Sequence, residues 1–196
     1  MNNPPFFLIF LALLWSCGPT ETAPPYTAQK TATGREAAVV SPHPLTTKVG
    51  MDILRKGGNA VDAAIAVQFA LAVAFPRAGN LGGGGFMVLR QPDGATDALD
   101  YRERAPLAAG RDMYLDSTGQ VVEGLSRNDA LAAGIPGTVA GMEAAFERYS
   151  LLKNWSALLE PAIRLAEEGY PISPAEAERL NRFQDAFRTY NEGPNP

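Results

Sequence analysis

Residues 60–75, AVDAAIAVQFALAVAF, carry only two polar side chains, Asp62 and Gln68. Wound as an α-helix at about 1.5 Å per residue, the segment is roughly 24 Å long and has no solvated face. A helix apolar all round must be buried on nearly every side or lie in a membrane. Its sixteen residues fall short of the roughly twenty a bilayer requires. It therefore belongs to a packed core, and its alanines let neighbouring elements approach closely. It needs layers on both sides, which a chain of 196 residues is small to supply. Glycines bound it, Gly57-Gly58 before and Gly82 to Gly85 after.

The surrounding sequence offers both helices and strands. Residues 37–40 are a short apolar run ending at SPHPL, where two prolines favour extended geometry, and a strand is expected there. Thr46 or Thr47 is expected to cap a helix running to about Lys56, stopped by Gly57-Gly58. Residues 86–90 and 96–102 flank Pro92-Asp93-Gly94 and read as a β-hairpin. Period two places Ala98, Asp100 and Arg102 on one face, and Leu99 and Tyr101 on the other. Further helices are expected from about Val139, through NWSALLEPAIRLAEEGYP up to Gly169, and after Ser173, where Pro174 and Glu176 complete a capping-box pattern. The chain ends in NEGPNP, turn-like residues without a closing element.

The first residues read as targeting rather than fold. Residues 6–15 are an unbroken apolar run of signal-peptide length. They lead into Leu14-Trp15-Ser16-Cys17, which resembles a bacterial lipobox with Cys17 as the lipid attachment residue. Trp15 is bulky for such a site, and no Lys or Arg precedes the run. The expected organisation is a signal peptide over residues 1–17, a flexible Pro- and Thr-rich tether over 18–35, and a folded part over 36–196. Export is implied, to the periplasm or cell envelope of a bacterium as a lipoprotein, with plain secretion as the alternative.

Chemistry is limited by what the chain lacks. Cys17 is the only cysteine and His43 the only histidine, so neither a disulfide framework nor a Cys/His metal site is expected. A net charge of −4 without charge runs gives no footprint for nucleic acid. The four consecutive glycines invite a phosphate-cradle reading, but they precede a strand rather than open a helix, and no Lys-Ser/Thr follows. Close backbone packing explains them better. His43 sits between two prolines and reads as structural rather than as a base. Asp97, Asp100 and Glu103 do not share one face, which leaves paired-carboxylate glycosidase chemistry unsupported. Arg102 presents a planar fork suited to a carboxylate; on spacing alone, a salt bridge to Asp100, Glu103 or another acidic neighbour is the favoured reading.

Five stretches resemble the γ-glutamyltranspeptidase (glutathione hydrolase) family in order and spacing. They are SPHPLTTKVGMDILRKGGNAVDAAIAVQFALAVAFP, NLGGGGFMVLR, ALDYRERAP, GIPGTVAGMEAAFERYS and WSALLEPAIRLAEEGYPIS. The resemblance implies an α+β fold, part of the four-layer αββα sandwich of an N-terminal-nucleophile hydrolase, incomplete in this chain. It also implies a self-cleaving precursor. There the nucleophile is a threonine exposed by cleavage whose own α-amine acts as base, so no histidine is required.

By motif position Arg102 becomes the clamp for the α-carboxylate of γ-glutamyl small molecules such as glutathione. The resemblance reaches only the front part of the large subunit. No catalytic residue is therefore expected within these 196 residues, and the rest of the precursor is the expected partner. No cofactor and no metal is implied, and a membrane enters only through the lipid anchor. The activity implied is transfer of a γ-glutamyl group to water or an amino acid through an acyl-threonine ester. A β-lactam side-chain acylase or a non-catalytic secreted binding fragment is the alternative.

Overall fold

The computed structural model describes residues 31–128 and 130–191. The apolar leader, Cys17, most of the tether and residues 192–196 lie outside the described residues. The chain divides into two units between Arg35 and Glu36, and the second, Glu36–Pro196, carries the described helices and strands.

Helix α1, Pro44–Arg55, opens this unit. Pro44 occupies the first turn, where its missing N–H removes no helical bond. The cap is His43, not Thr46 or Thr47: its Nδ1 accepts from the Leu45 N–H at 3.3 Å. Thr46 instead turns inside, donating from Oγ1 to the His43 carbonyl at 2.8 Å and lying 2.6 Å from Ser41 Oγ. The expected strand over residues 37–40 does not form. Its neighbour is a helix that offers no ladder to pair with: an added Cβ on Gly50 of α1 would lie 2.8 Å from Val39 Cγ1. Gly57, at φ +90°, ends α1 in the left-handed conformation that favours glycine.

The apolar segment forms helix α2, Ala60–Ala74. Asn59 starts it, its Oδ1 accepting from the Val61 and Asp62 N–H groups at 2.9 Å each. Asp62 Oδ2 accepts from the Asn59 N–H at 2.9 Å, which closes a capping box. Helix α2 packs chiefly on α1 and on α5, Trp155–Glu168, and also on α4, Thr138–Tyr149. Ile65, Ala66 and Ala70 are fully buried; enclosing a side chain of isoleucine size contributes about 1.5–3 kcal/mol. Trp155 closes this interior edge-on against both Phe69 and Phe146, with ring centroids 5.5 and 5.3 Å apart. Burial of α2 is not complete. Ala64 is exposed, and Gln68, Leu71 and Phe75 are half-buried along one strip.

Strands β1, Phe86–Arg90, and β2, Thr96–Asp100, form the expected antiparallel hairpin, with Phe86 opposite Asp100 and Met87 opposite Leu99. Gly94, at φ +91°, closes the turn, and Asp93 Oδ1 accepts from the Ala95 N–H at 2.9 Å. The faces alternate as the period-two pattern requires. Leu99 is buried and Met87 packs against the helical core, while Phe86 and Val88 point outward, 65% and 83% exposed. Arg102 falls two residues past the end of β2, because Asp100 turns its carboxylate back to accept the Arg102 N–H.

The remaining elements are a short helix α3, Leu125–Asn128, a 3-10 turn at Ala130–Ala132, α6, Pro174–Arg182, and α7, Gln184–Asn191. Ser173 caps α6 by accepting from the Glu176 N–H at 3.1 Å. The reciprocal half of that box does not form: Glu176 Oε1 is buried without a hydrogen-bond partner among the described residues.

Candidate functional site

The site is built where three backbones meet. The glycine loop lies on the start of α4, and the Gly83 carbonyl accepts from the Gly137 and Thr138 N–H groups at 2.8 and 3.0 Å. Asn80 Oδ1 seals the junction, accepting from the Gly83 N–H at 2.9 Å and from the Thr138 hydroxyl at 2.6 Å. Residues 101–104 run between the two. Tyr101 exchanges backbone hydrogen bonds with Gly85, at 3.0 and 3.3 Å, and Arg104 with Ile135, at 3.2 and 2.8 Å.

This crossing requires glycine on both sides. A Cβ on Gly84 would lie 2.6 Å from the Tyr101 carbonyl oxygen and 2.7 Å from the Glu103 nitrogen. On Gly137 it would lie 2.1 Å from the same oxygen, and on Gly141 2.3 Å from Tyr101 Cγ. Gly84, Gly137 and Gly141 therefore serve close packing, whereas a Cβ on Gly82 would meet nothing within 4 Å. Two of the amides at the start of α4 that could have received an anion already bond the Gly83 carbonyl.

Arg102 projects from this crossing, its side chain 59% exposed. Nε lies 3.2 Å from Glu103 Oε2, an ion pair; Oε2 is buried without a hydrogen-bond partner among the described residues. The Arg102 N–H donates to Asp100 Oδ1 at 3.0 Å, which fixes the backbone beneath the side chain. The guanidinium carbon stands 5.9 Å from the centre of the Phe86 ring. The Tyr101 hydroxyl donates to the Phe86 carbonyl at 3.3 Å, and burial pushes its phenol above the usual range, so it stays a neutral donor. Of the two partners open to Arg102 from its sequence, Glu103 takes the guanidinium and Asp100 the backbone. So exposed an ion pair contributes little by itself, about 0–1 kcal/mol. The Arg102 side chain stays more than half exposed, and a guanidinium can meet an arriving carboxylate with two parallel N–H groups.

The other singled-out groups have local work. His43 is a helix cap with its ring edge-on to Tyr170, centroids 5.8 Å apart. Burial lowers its pKa against a smaller opposing pull from the Glu176 charge. Asp97 accepts from the Tyr149 hydroxyl and from the Ala98 N–H; the Tyr149 bond, first, holds the carboxyl below its usual range. Asp97 thus serves Tyr149 and Ala98, while Asp100 and Glu103 serve the backbone and the side chain of Arg102. Among the described residues no group of three or more His, Cys, Asp or Glu side chains could hold a metal ion.

Sequence reasoning missed Phe86, because the period-two pattern marks it only as an outward residue. It also missed Asp62 as a junction. That fully buried carboxylate accepts from Asn59 N–H, from Ser150 Oγ at 2.5 Å and from the Leu151 and Leu152 N–H groups at 3.0 and 3.2 Å. The Asn59-x-x-Asp62 capping pattern was the available signal for its local half.

Residues 46–195 match the family described as Gamma-glutamyltranspeptidase. A glutathione hydrolase proenzyme of Pseudomonas sp. (strain A14) is 44% identical over 181 residues, covering 92% of this chain and 31% of that protein. Among solved structures, gamma-glutamyltranspeptidase of Helicobacter pylori aligns with a TM-score of 0.78 at 49% identity, over 83% of this chain and 46% of that one. That of Pseudomonas nitroreducens, complexed with L-DON, gives 0.73 at 48% identity, over 81% and 46%. The chain spans 26–31% of the length of the first three curated relatives it matches.

Proposed function

Since the chain belongs to the gamma-glutamyltranspeptidase family, we propose that it forms part of a γ-glutamyltransferase and glutathione hydrolase in which Arg102 holds the donor's α-carboxylate. The observation that carries this reading is the setting of Arg102: a guanidinium on a braced backbone crossing, paired at Nε, with its side chain more than half exposed. Two parallel charge-assisted hydrogen bonds from that guanidinium orient the donor and leave its γ-amide carbonyl free for attack. The nucleophile is a threonine on polypeptide outside these 196 residues. Its hydroxyl oxygen adds to the γ-carbonyl carbon while its own α-amine takes the hydroxyl proton; the amine half of the donor leaves with a proton, and a γ-glutamyl ester remains. Water or an amino acid then attacks that ester and frees the threonine. The steps use no metal and no organic cofactor.

The same reading places the hairpin in one sheet of an αββα sandwich. Outward Val88, and Ala64 and Leu71 on the half-open strip of α2, supply apolar surface for such neighbours to cover. It also makes Cys17 the lipid-modified residue of a cell-envelope protein; palmitate labelling that survives Cys17→Ser would overturn that part.

The functional test uses the self-cleaving precursor that carries this sequence. Arg102→Ala raises KM for a γ-glutamyl anilide at least about tenfold, the value of one charge-assisted hydrogen bond of about 1.5 kcal/mol, while self-cleavage proceeds. An unchanged donor KM refutes the clamp. Faster turnover of a glutaryl amide than of the γ-glutamyl anilide would favour the acylase alternative.

A further inference from the structure

We propose that Phe86 is a positioning residue for Arg102, its ring face setting the plane of the guanidinium so that the outer edge meets the donor carboxylate. The proposal rests on the reading of Arg102 as the clamp.

A free arginine side chain samples many rotamers, and a clamp gains from having them restricted before the ligand arrives. Three constraints converge on Arg102. From below, Asp100 accepts its N–H at 3.0 Å. From the side, Glu103 Oε2 stands 3.2 Å from Nε. From the face, the Phe86 ring centre lies 5.9 Å from Cζ, within the range at which a ring quadrupole attracts a cation.

Phe86 itself is placed with care. It sits directly opposite Asp100 in the hairpin register, so the residue that fixes the Arg102 backbone and the residue that faces its side chain form one cross-strand pair. Its carbonyl accepts the Tyr101 hydroxyl. The preceding Gly85 lies against the Tyr101 ring, where a Cβ would come within 2.9 Å of Cε2. An aromatic ring left 65% exposed contributes little to the core of this unit. The guanidinium contact is what its aromatic character serves.

The precursor is assayed with two donors, a γ-glutamyl anilide and the matching anilide that lacks the α-carboxylate. Phe86→Leu keeps apolar bulk and removes the ring face. It is expected to raise KM for the γ-glutamyl donor about two- to fivefold, the scale of an exposed cation–π contact, with kcat little changed. The donor without the carboxylate is unaffected, and Phe86→Tyr restores the parent KM. Three outcomes overturn the proposal. A Phe86→Leu KM equal to the parent, beside a raised KM for Arg102→Ala, removes Phe86 and leaves the clamp standing. An equal rise for both donors makes Phe86 a structural residue only. An unchanged KM in Arg102→Ala removes the clamp itself. If Phe86→Leu does not mature, Phe86→Trp carries the comparison: its larger ring face holds or lowers the γ-glutamyl KM, and a rise in KM overturns the proposal.

Discussion

Gly137→Ala is the most informative single change, because the damage expected from one methyl group can be worked out from the crossing at Arg102. The new Cβ would lie 2.1 Å from the Tyr101 carbonyl oxygen, 2.8 Å from its carbonyl carbon and 3.0 Å from the Arg102 carbonyl oxygen. Non-bonded heavy atoms settle at about 3.5 Å or beyond; the two backbones must separate by about 1.4 Å. Every close atom is main chain, so no side chain can rotate aside. Overpacking that side chains can absorb costs about 1–3 kcal/mol, and a backbone clash falls at the upper end. Separation also stretches the two bonds to the Gly83 carbonyl, at about 1 kcal/mol each. The total is about 3–5 kcal/mol, a large part of an ordinary domain's stability. Urea unfolding measures it. Gly110→Ala, with no atom within 4 Å and no positive φ, is the control and stays within about 0.5 kcal/mol of the parent. In the precursor the same shift moves Arg102 by over an ångström, and donor kcat/KM falls about a hundredfold. A Gly137→Ala protein as stable as the Gly110→Ala control would refute the steric account of the crossing.

Asp62→Asn trades an acceptor oxygen for an NH2 group set against the N–H donors of Asn59, Leu151 and Leu152; a loss of at least about 3 kcal/mol is expected in urea unfolding, and a loss under 1 kcal/mol would contradict the junction role. Burial lowers the His43 pKa below 6.5 despite the opposing Glu176 charge. The unfolded chain then binds more protons just below that value, so this contribution is present above pH 6.5 and lost as pH falls through the folded pKa. His43→Asn keeps a capping side chain and removes the titration; its unfolding midpoint is expected to lose the parent's slope on the acid side of pH 6.5, and an unaltered slope would exclude His43 as its source. Tyr149→Phe deletes the hydrogen bond that most lowers the Asp97 pKa, so the Asp97 carboxyl measured by NMR titration should rise toward 3.8, with the acid-side stability it contributes lost at a higher pH; an unmoved titration would show that the Ala98 N–H dominates.

What the sequence made legible were features whose cause is local. Helix α2 follows from sixteen nearly apolar residues, and the hairpin from Pro92-Asp93-Gly94 between alternating runs. Arg102 was legible as a carboxylate-seeking group with Asp100 and Glu103 as candidate partners, though not the way these two divide backbone from guanidinium. The misses arise where neighbours decide. Thr46 is a fair cap by type, but the helix starts at Pro44, which moves the cap three residues earlier to His43. Residues 37–40 have strand composition but lie beside a helix, α1, which cannot pair with them. Glu176 satisfies the capping-box spacing, yet its carboxylate acts on His43 and Tyr170 instead of completing the box. Phe86 acquires its role only once the hairpin register sets it opposite Asp100.

The Asp62 carboxylate has a consequence for the order in which this architecture can form. It ties the start of α2 to residues 150–152, positions 88 to 90 apart in the chain. Drawing together ends that far apart costs about 4 kcal/mol in chain entropy plus a constant, on the (3/2)RT ln n scaling. Bonds to a charged acceptor, at about 1.5–3 kcal/mol each, offset this only when several close together. The glycine loop, the hairpin and Arg102 all lie on the loop so closed. Arg102, the proposed clamp, therefore sits on a stretch of chain whose two ends are gathered at a single buried carboxylate.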